Sequence, residues 1–413
     1  MEGRGVAVAR AEGLRTARLR SLVQRPYLVV TGIWIAWAGA VVATVAIGMA
    51  AGEYDRSKEG VTGTPLFPFF SWDFGWYNAI AHHGYPAVAD RFYAFFPLWP
   101  WLLRASGSVP DWQLAGAVTV AASGLAFLGI AAGSPAKRPR QAALALACWP
   151  GSSLLLLAYP DGLALAAAAC AAALFLRGRP LAAAPLGAAA ALLRPNGFLI
   201  ALPLALLARG RGWAFKLAAA APVAAAAAVE SFFWERSGRA GAFFHAQRLW
   251  GRSGPSGIAK WADHVGSLFR NHAAVLSVAL VVAFAVIVLT WRRFGLLPTL
   301  VAAYACAVPV LLAATRSLDG FTDTARCVLI LPLLVVLWRM GPRYRPWALF
   351  AGAIVAALLG SGLMHSFGRQ SLYAFPIFWA LGEGPRWLRR PPLAVLGFAA
   401  NLGLALLITR FAP

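Results

Sequence analysis

The sequence predicts an all-α, polytopic membrane protein: one domain over residues 1–413 with about 11 to 13 membrane-spanning helices. Of its 413 residues, 60% are hydrophobic and only 13% are charged, whereas soluble domains carry about 25% charged residues. Apolar runs recur along the whole chain with polar or basic turns between them. A helix needs roughly 20 apolar residues to cross the hydrocarbon core, and many of these runs approach that length.

Residues 1–26 form a basic tail without the core and cleavage site of a signal peptide, so the apolar run that follows is read as a retained anchor. The candidate spans are 27–50, 112–133, 141–158, 161–176, 214–234, 273–291, 296–314, 327–338, 347–366, 371–382 and 392–410. Two large loops lie between them, at residues 51–111 and 235–272. Alanine-rich runs such as 217–228 are expected to let membrane helices pack closely.

Residues 181–208 are two short apolar halves, broken by Arg194, Pro195, Asn196 and Gly197. Basic residues flank both outer ends. Proline and glycine are tolerated at membrane depth where the broken backbone lines a protein cavity. We therefore predict a re-entrant hairpin that turns at RPNG and returns to the same side.

The distribution of charge predicts the orientation. The net charge is +22, but the basic residues stand in short clusters between apolar runs, which favours the positive-inside rule over a nucleic-acid surface. The proposed cytoplasmic segments hold 22 of the 37 Lys and Arg residues and three of the 15 acids. We predict a multi-pass protein of the plasma membrane with a cytoplasmic N-terminus, an outer active face and no nucleic-acid partner. The four cysteines lie in apolar runs and indicate neither disulfides nor a metal cluster.

The stretch SWDFGWYNAIAHHGY, residues 71–85, begins with an acid and is rich in aromatic side chains. On a helix Asp73 and Tyr77 share one face, while Trp72, Trp76 and His83 share the adjacent face. Tryptophan and tyrosine favour the headgroup level, so an interfacial helix in the first outer loop is predicted. Asp73 is either a functional acid or a simple helix cap.

Ionisable groups in or beside short apolar segments usually face a cavity. Asp161, in AYPDGL, and Arg194 are such groups, and they predict either substrate contact or a structural ion pair. Arg326 and Arg369 are predicted at outer ends of spans, where each either pairs with a lipid phosphate or reaches the headgroups. In the second outer loop, Gln247 and Trp250 either stack on and hydrogen-bond a sugar or anchor the loop to the headgroups.

Several motifs in order resemble the PIG-V family, the enzymes that add the second mannose in GPI-anchor synthesis, and their bacterial relatives. They are WD-x-x-WY-x-x-IA-x-x-GYP from Trp72, YAFFPLWP at 93–100, AYPDGL at 158–163, LLRPNGFLIALPLALLA at 192–208 and AFFHAQRLWGR at 242–252. Asp161 stands where relatives more often have Glu. This family is similar to the wider GT-C glycosyltransferases, which take sugar from a polyprenyl phosphate on the outer face.

The resemblance implies a GT-C-like mannosyltransferase in which Asp73 is the catalytic base, with Asp90 in reserve. The reaction would be an inverting single displacement from a polyprenyl-phosphate sugar to a lipid-linked, glycan or protein acceptor, without metal or cofactor. The residues predicted to bind substrate are Trp72, Trp76, Tyr77, His83, Tyr85, Asp161, Arg194, Asn196, Gln247, Trp250, Arg326 and Arg369. The alternatives are a lipid or sugar-lipid transporter, which should show paired internal repeats, and a catalytically inactive scaffold.

Overall fold

A computed structural model describes residues 2–51, 66–86, 90–105, 107, 110–251, 321–361, 367–384 and 391–408, with isolated positions between 259 and 288. Side chains are described from residue 26 in the first helix and from residue 330 in the helix that contains Arg326. The predicted span at 296–314, most of the span at 273–291 and the side chain of Arg326 lie outside the described residues.

All regular secondary structure in the described part of the chain is helical, as the all-α prediction requires. Helices of the first half are α1 Glu2–Ala50, α2 Asp73–His83, α3 Leu98–Arg104, α4 Asp111–Ala132, α5 Pro139–Ala147, α6 Pro160–Leu176, α7 Pro180–Leu193, α8 Ala201–Ala208, α9 Trp213–Ser237 and α10 Ala242–Leu249. After residue 320 follow α11 Phe321–Arg339, α12 Arg345–Ser361, α13 Phe367–Gln370, α14 Pro376–Glu383 and α15 Pro391–Ile408. Short 3-10 turns connect several of them, at Phe67–Phe70, Asp90–Ala94, Ser152–Leu156, Pro195–Ile200 and Ser371–Tyr373.

Three of the described helical segments are long and apolar enough to cross a membrane: Pro26–Ala50, Asp111–Ala132 and Trp213–Ser237. Their outward faces carry large apolar side chains such as Ile35, Val120 and Trp234, which are exposed. Exposed apolar faces of this length fit lipid and not water. The predicted fold class, an all-α integral membrane protein, is therefore confirmed.

Small residues bring the helices into close contact. In α4, a side chain at Gly129 would meet the backbone nitrogen of Cys170 in α6 at 2.9 Å. In α14, one at Gly382 would meet the backbone of Gln141 in α5 at 2.7 Å. Where lipid already solvates apolar surface, such close packing supplies much of the attraction between helices. The alanine and glycine content of the chain thus has a direct packing role.

The span predicted at 141–158 is not one continuous helix. It ends as an α-helix at Ala147 and resumes as the turn Ser152–Leu156, because Pro150 lacks an amide hydrogen and Gly151 has φ +98°. The side-chain oxygen of Asn401, in α15, accepts hydrogen bonds from the backbone nitrogens of Gly151 at 3.3 Å and Ser153 at 2.9 Å. The interrupted backbone is therefore satisfied inside the protein, as membrane depth requires.

The chain reverses direction at the predicted RPNG break. α7 ends before Arg194, whose backbone is extended with ψ 142°. A side chain at Gly197 would lie 2.0 Å from the carbonyl oxygen of Ala190, and one at Gly187 would lie 3.9 Å from Ile200. Residues 195–200 therefore run back beside the second half of α7. Return of both ends to one side of a membrane remains a prediction.

Candidate active site

Asp73 is the first residue of α2, as the sequence analysis expected, and it is held at the start of that helix by an unusual backbone. The preceding residue, Trp72, has φ +53°. A bulky residue with positive φ is strained, and such strain persists only where the surroundings enforce it. Because strained backbones cluster at functional sites, the strain at Trp72 indicates a functional role for the adjacent Asp73.

The side chain of Asp73 forms an ion pair with Arg369. The guanidinium of Arg369 donates to Oδ2 of Asp73 at 2.9 Å. The side chain of Arg369 is 3% exposed, whereas that of Asp73 is 29% exposed. The arginine is thus buried and fixed, and the carboxylate is the accessible partner. This placement differs from the alternative in which Arg369 reaches out to the headgroups.

The ion pair continues into the protein. Nε of Arg369 lies 3.7 Å from Oδ2 of Asp161, and Arg194 donates to the same carboxylate. Asp161 and Arg194 are both buried. Asp73, Arg369, Asp161 and Arg194, hereafter the ion cluster, therefore alternate in charge from an accessible end to a buried end. Two acids balance two bases, which limits the cost of burying them.

Four separate chain segments supply the ion cluster. Asp73 begins α2, Asp161 lies in the first turn of α6, Arg194 stands at the RPNG break, and Arg369 lies in α13. All four residues were predicted site residues, and a pair between Asp161 and Arg194 was one of two alternatives that the sequence left open. The structure contains that pair and extends it to the predicted base.

Polar side chains around the ion cluster connect these segments further. The hydroxyl of Tyr373 donates to the backbone oxygen of Asp161 at 3.2 Å. The amide of Asn196 donates to the side chain of Gln370 at 3.2 Å. The predicted Asn196 therefore contacts the residue that follows Arg369 in the chain. Sequence reasoning did not single out Tyr373 or Gln370. Their only signal was proximity to Arg369 in the run FGRQSLYAFP.

Tyr77 lies one turn after Asp73 in α2 and is 1% exposed. Burial raises the pKa of its phenol well above the usual range, and the four members of the ion cluster also act on it electrostatically. The phenol is therefore protonated at neutral pH and carries no charge beside the ion cluster.

Two of the predicted aromatic residues, Trp76 and Trp250, lie in a second cluster that joins the loops 51–111 and 235–272. Trp76 stacks on Phe95 with ring centroids 5.8 Å apart and meets Trp250 edge to face at 5.3 Å. The indole of Trp250 donates to the backbone oxygen of Arg91 at 3.1 Å. Trp250 thus packs the second loop against the first. Contact with a sugar and anchoring to the headgroups both remain predictions.

Three other predicted residues occupy different surroundings. Tyr85 is buried, and its hydroxyl donates to the backbone oxygen of Phe95 at 2.6 Å. His83 is exposed at the end of α2, and Gln247 is partly buried in α10. Substrate contact by these residues and by Trp72 remains a prediction.

Asp90, the reserve base, is held by the second loop. Its carboxylate lies 3.1 Å from Nε2 of His245 and 3.9 Å from Arg239. These contacts give Asp90 a role in joining the loops. The described residues contain no group of three or more metal-ligating side chains.

No protein-family model matches the chain, and neither does any curated protein. Among solved structures, the chain is similar to the Archaeoglobus fulgidus oligosaccharyltransferase, in a crystal structure of its complex with Zn and sulfate. The TM-score is 0.44 and the sequence identity is 15%, over 92% of this chain and 53% of that chain. The chain spans about half the length of that protein, and a likeness this distant assigns neither family nor activity.

Proposed function

We propose that the chain is a membrane glycosyltransferase of the GT-C type, a mannosyltransferase that uses a polyprenyl-phosphate donor on the outer face of the membrane. The observation that carries this proposal is the ion cluster: a partly exposed carboxylate, Asp73, beside a buried arginine, Arg369. A proton acceptor and a phosphate-binding cation are the two groups that this transfer needs. The order of motifs in the sequence supports the same reaction.

Asp73 acts as the general base. Its carboxylate takes the proton from the acceptor hydroxyl as that oxygen forms a bond to the anomeric carbon of the sugar. The bond between that carbon and the phosphate oxygen breaks at the same time, and the polyprenyl phosphate leaves with the electron pair. One displacement inverts the anomeric centre. A positioned base supplies roughly 10²- to 10⁴-fold in rate.

Arg369 stabilises the negative charge that develops on the leaving phosphate. Its guanidinium presents several donors in a fixed fork, which suits phosphate oxygens and carboxylates alike. Since Arg369 already contacts Asp73, a phosphate bound at this edge would lie next to the base. Asp161, which is itself paired with Arg194, holds Arg369 in place from the buried side.

The test is direct. Purified protein is incubated with labelled polyprenyl-phosphate mannose and candidate lipid acceptors, and transfer is followed with an Asp73→Asn variant in parallel. We expect a labelled lipid product with wild-type protein and a large loss with the variant. If the protein binds the donor but transfers sugar to none of the acceptors, the transferase function is rejected, and a transporter or a scaffold remains.

A further inference from the structure

Tyr159 contacts both Asp73 and Arg369 of the ion cluster. It is the residue just before α6, and it is 1% exposed. Its hydroxyl accepts a hydrogen bond from the backbone nitrogen of Asp73 at 3.2 Å and donates one to the backbone oxygen of Ser71 at 2.9 Å. A single phenol thus bridges the two residues that flank Trp72.

That bridge spans the strained position. Trp72 has φ +53°, and a conformation of this kind reverts unless the residues around it are fixed. The hydroxyl of Tyr159 bonds to the backbone on both sides of Trp72. It therefore holds the turn that sets the direction of the Asp73 side chain.

The ring of Tyr159 has a separate contact. The guanidinium carbon of Arg369 lies over the ring at 4.6 Å from its centroid. Cations are attracted to the faces of aromatic rings, most strongly where water is excluded. The hydroxyl thus contacts the backbone of the base, and the ring contacts the cation that pairs with it.

We propose that Tyr159 is a positioning residue that sets the relative placement of Asp73 and Arg369 for phosphoryl-linked sugar transfer. This inference rests on the proposed function. A buried Phe would fill the same volume and would keep the contact with Arg369, so packing alone does not require the hydroxyl. Misplacement of a reacting group by about 1 Å can cost around 100-fold in rate.

Two substitutions separate the two contacts. Tyr159→Phe removes the hydroxyl bridge and keeps the ring beneath Arg369. Tyr159→Leu removes both. For the Phe variant we expect kcat to fall about 10- to 100-fold, with the KM for the donor unchanged. For the Leu variant we expect the same loss in kcat and, in addition, a several-fold higher donor KM, because Arg369 is no longer held.

Tyr93→Phe is the matched control. Tyr93 is also 1% exposed, and its hydroxyl donates to a backbone oxygen of the same loop, that of Pro86, at 3.2 Å. It contacts no member of the ion cluster among the described interactions. We expect near-normal kcat and donor KM in this variant.

Amide hydrogen exchange gives a second readout that needs no activity. In Tyr159→Phe the amide of Asp73 loses its acceptor, so a peptide covering residues 67–77 should exchange faster, while helices distant from it exchange as before. Either wild-type kcat or unchanged exchange in the Phe variant would overturn the proposal. Equal KM and kcat in the Phe and Leu variants would also overturn the role of the ring.

The two proposals fail differently. If wild-type protein transfers no sugar, the proposed function is rejected, and hydrogen exchange still decides whether Tyr159 holds Asp73. If wild-type protein is active and Tyr159→Phe is equally active, the transferase stands and the positioning role is rejected. Should Tyr159→Leu not fold, the Phe variant and the exchange measurement decide alone.

Discussion

The guanidinium of Arg369 donates to the carboxylate of Asp73 at 2.9 Å, although 296 residues separate them in the chain. The same arginine lies 3.7 Å from Asp161, so it stands between an accessible acid and a buried one. It therefore balances the charge of both acids. A phosphate that enters beside Asp73 would compete for this cation, which links donor binding to release of the base.

The role of Arg369 can be tested by substitution with Lys and with Ala. Lys keeps one charge but lacks the planar fork that can serve two acceptors. We expect Arg369→Lys to fold and to show a raised donor KM or a lower kcat. Arg369→Ala leaves two carboxylates without their shared cation, and the loss of one partner of a buried pair costs about 3–5 kcal/mol. Thermal unfolding and transfer assays measure the two effects.

Arg326→Ala is the comparison for Arg369. The sequence offered both arginines as partners of the donor phosphate, and the ion cluster contains Arg369. We therefore expect Arg326→Ala to leave donor KM and kcat nearly unchanged. A strong kinetic effect at Arg326 with none at Arg369 would move the phosphate site away from the ion cluster.

The sequence predicted which residues belong to the ion cluster better than it predicted the contacts between them. Asp161 and Arg194 could be identified because ionisable side chains are costly beside apolar segments and need a reason to be there. Asp73 was predicted from a family motif, and Arg369 from its place at the predicted end of a span. Their contact was not predictable, since it depends on how α2 and α13 pack, and no local pattern encodes packing between segments so far apart.

Tyr159 and the interrupted helix near Gly151 show the same limit. A tyrosine beside an apolar helix reads as an interfacial anchor, and only the folded chain places its hydroxyl on Ser71 and Asp73. The break at Gly151 is tolerated because Asn401 satisfies its backbone from the far end of the chain. Local apolar content alone therefore suggested one span where the chain forms two short pieces.

The ion pair between Asp161 and Arg194 serves either the stability of the fold or the reaction, and a double variant distinguishes the two roles. Asp161→Asn alone should destabilise the protein by about 3–5 kcal/mol, because it leaves a buried arginine without its carboxylate. The double variant Asp161→Leu with Arg194→Met should recover much of that loss, since apolar replacement of a buried ion pair is often neutral or stabilising.

The transfer activity of the double variant decides between the structural and the functional role of the pair. If the pair serves to hold Arg369 for the reaction, the double variant should be stable and should remain poor in transfer. Recovery of both stability and activity would show that the pair is structural. The experiment needs thermal unfolding in detergent and the transfer assay on the same preparations.

If residues 181–208 form a re-entrant hairpin, both ends of the segment lie on the cytoplasmic side of the membrane. Arg179 and Arg211 flank the segment and are exposed. In a background without the native cysteines, Arg179→Cys and Arg211→Cys should both react with a membrane-impermeant maleimide from the cytoplasmic side only. Labelling of the two positions from opposite sides would show a complete crossing and would invert the predicted placement of loop 235–272.

The assignment of the base rests finally on Asp73. Asp73→Asn keeps the size and shape of the side chain. Its amide oxygen can still accept a hydrogen bond from Arg369, so we expect insertion and thermal stability close to normal. The variant cannot take a proton from the acceptor, and transfer should fall by at least ~10²-fold, the low end for a lost general base. Asp90→Asn, whose carboxylate contacts His245, should change transfer far less. Near-normal transfer by Asp73→Asn would reject the base assignment, because a carboxamide offers no alternative route for the proton.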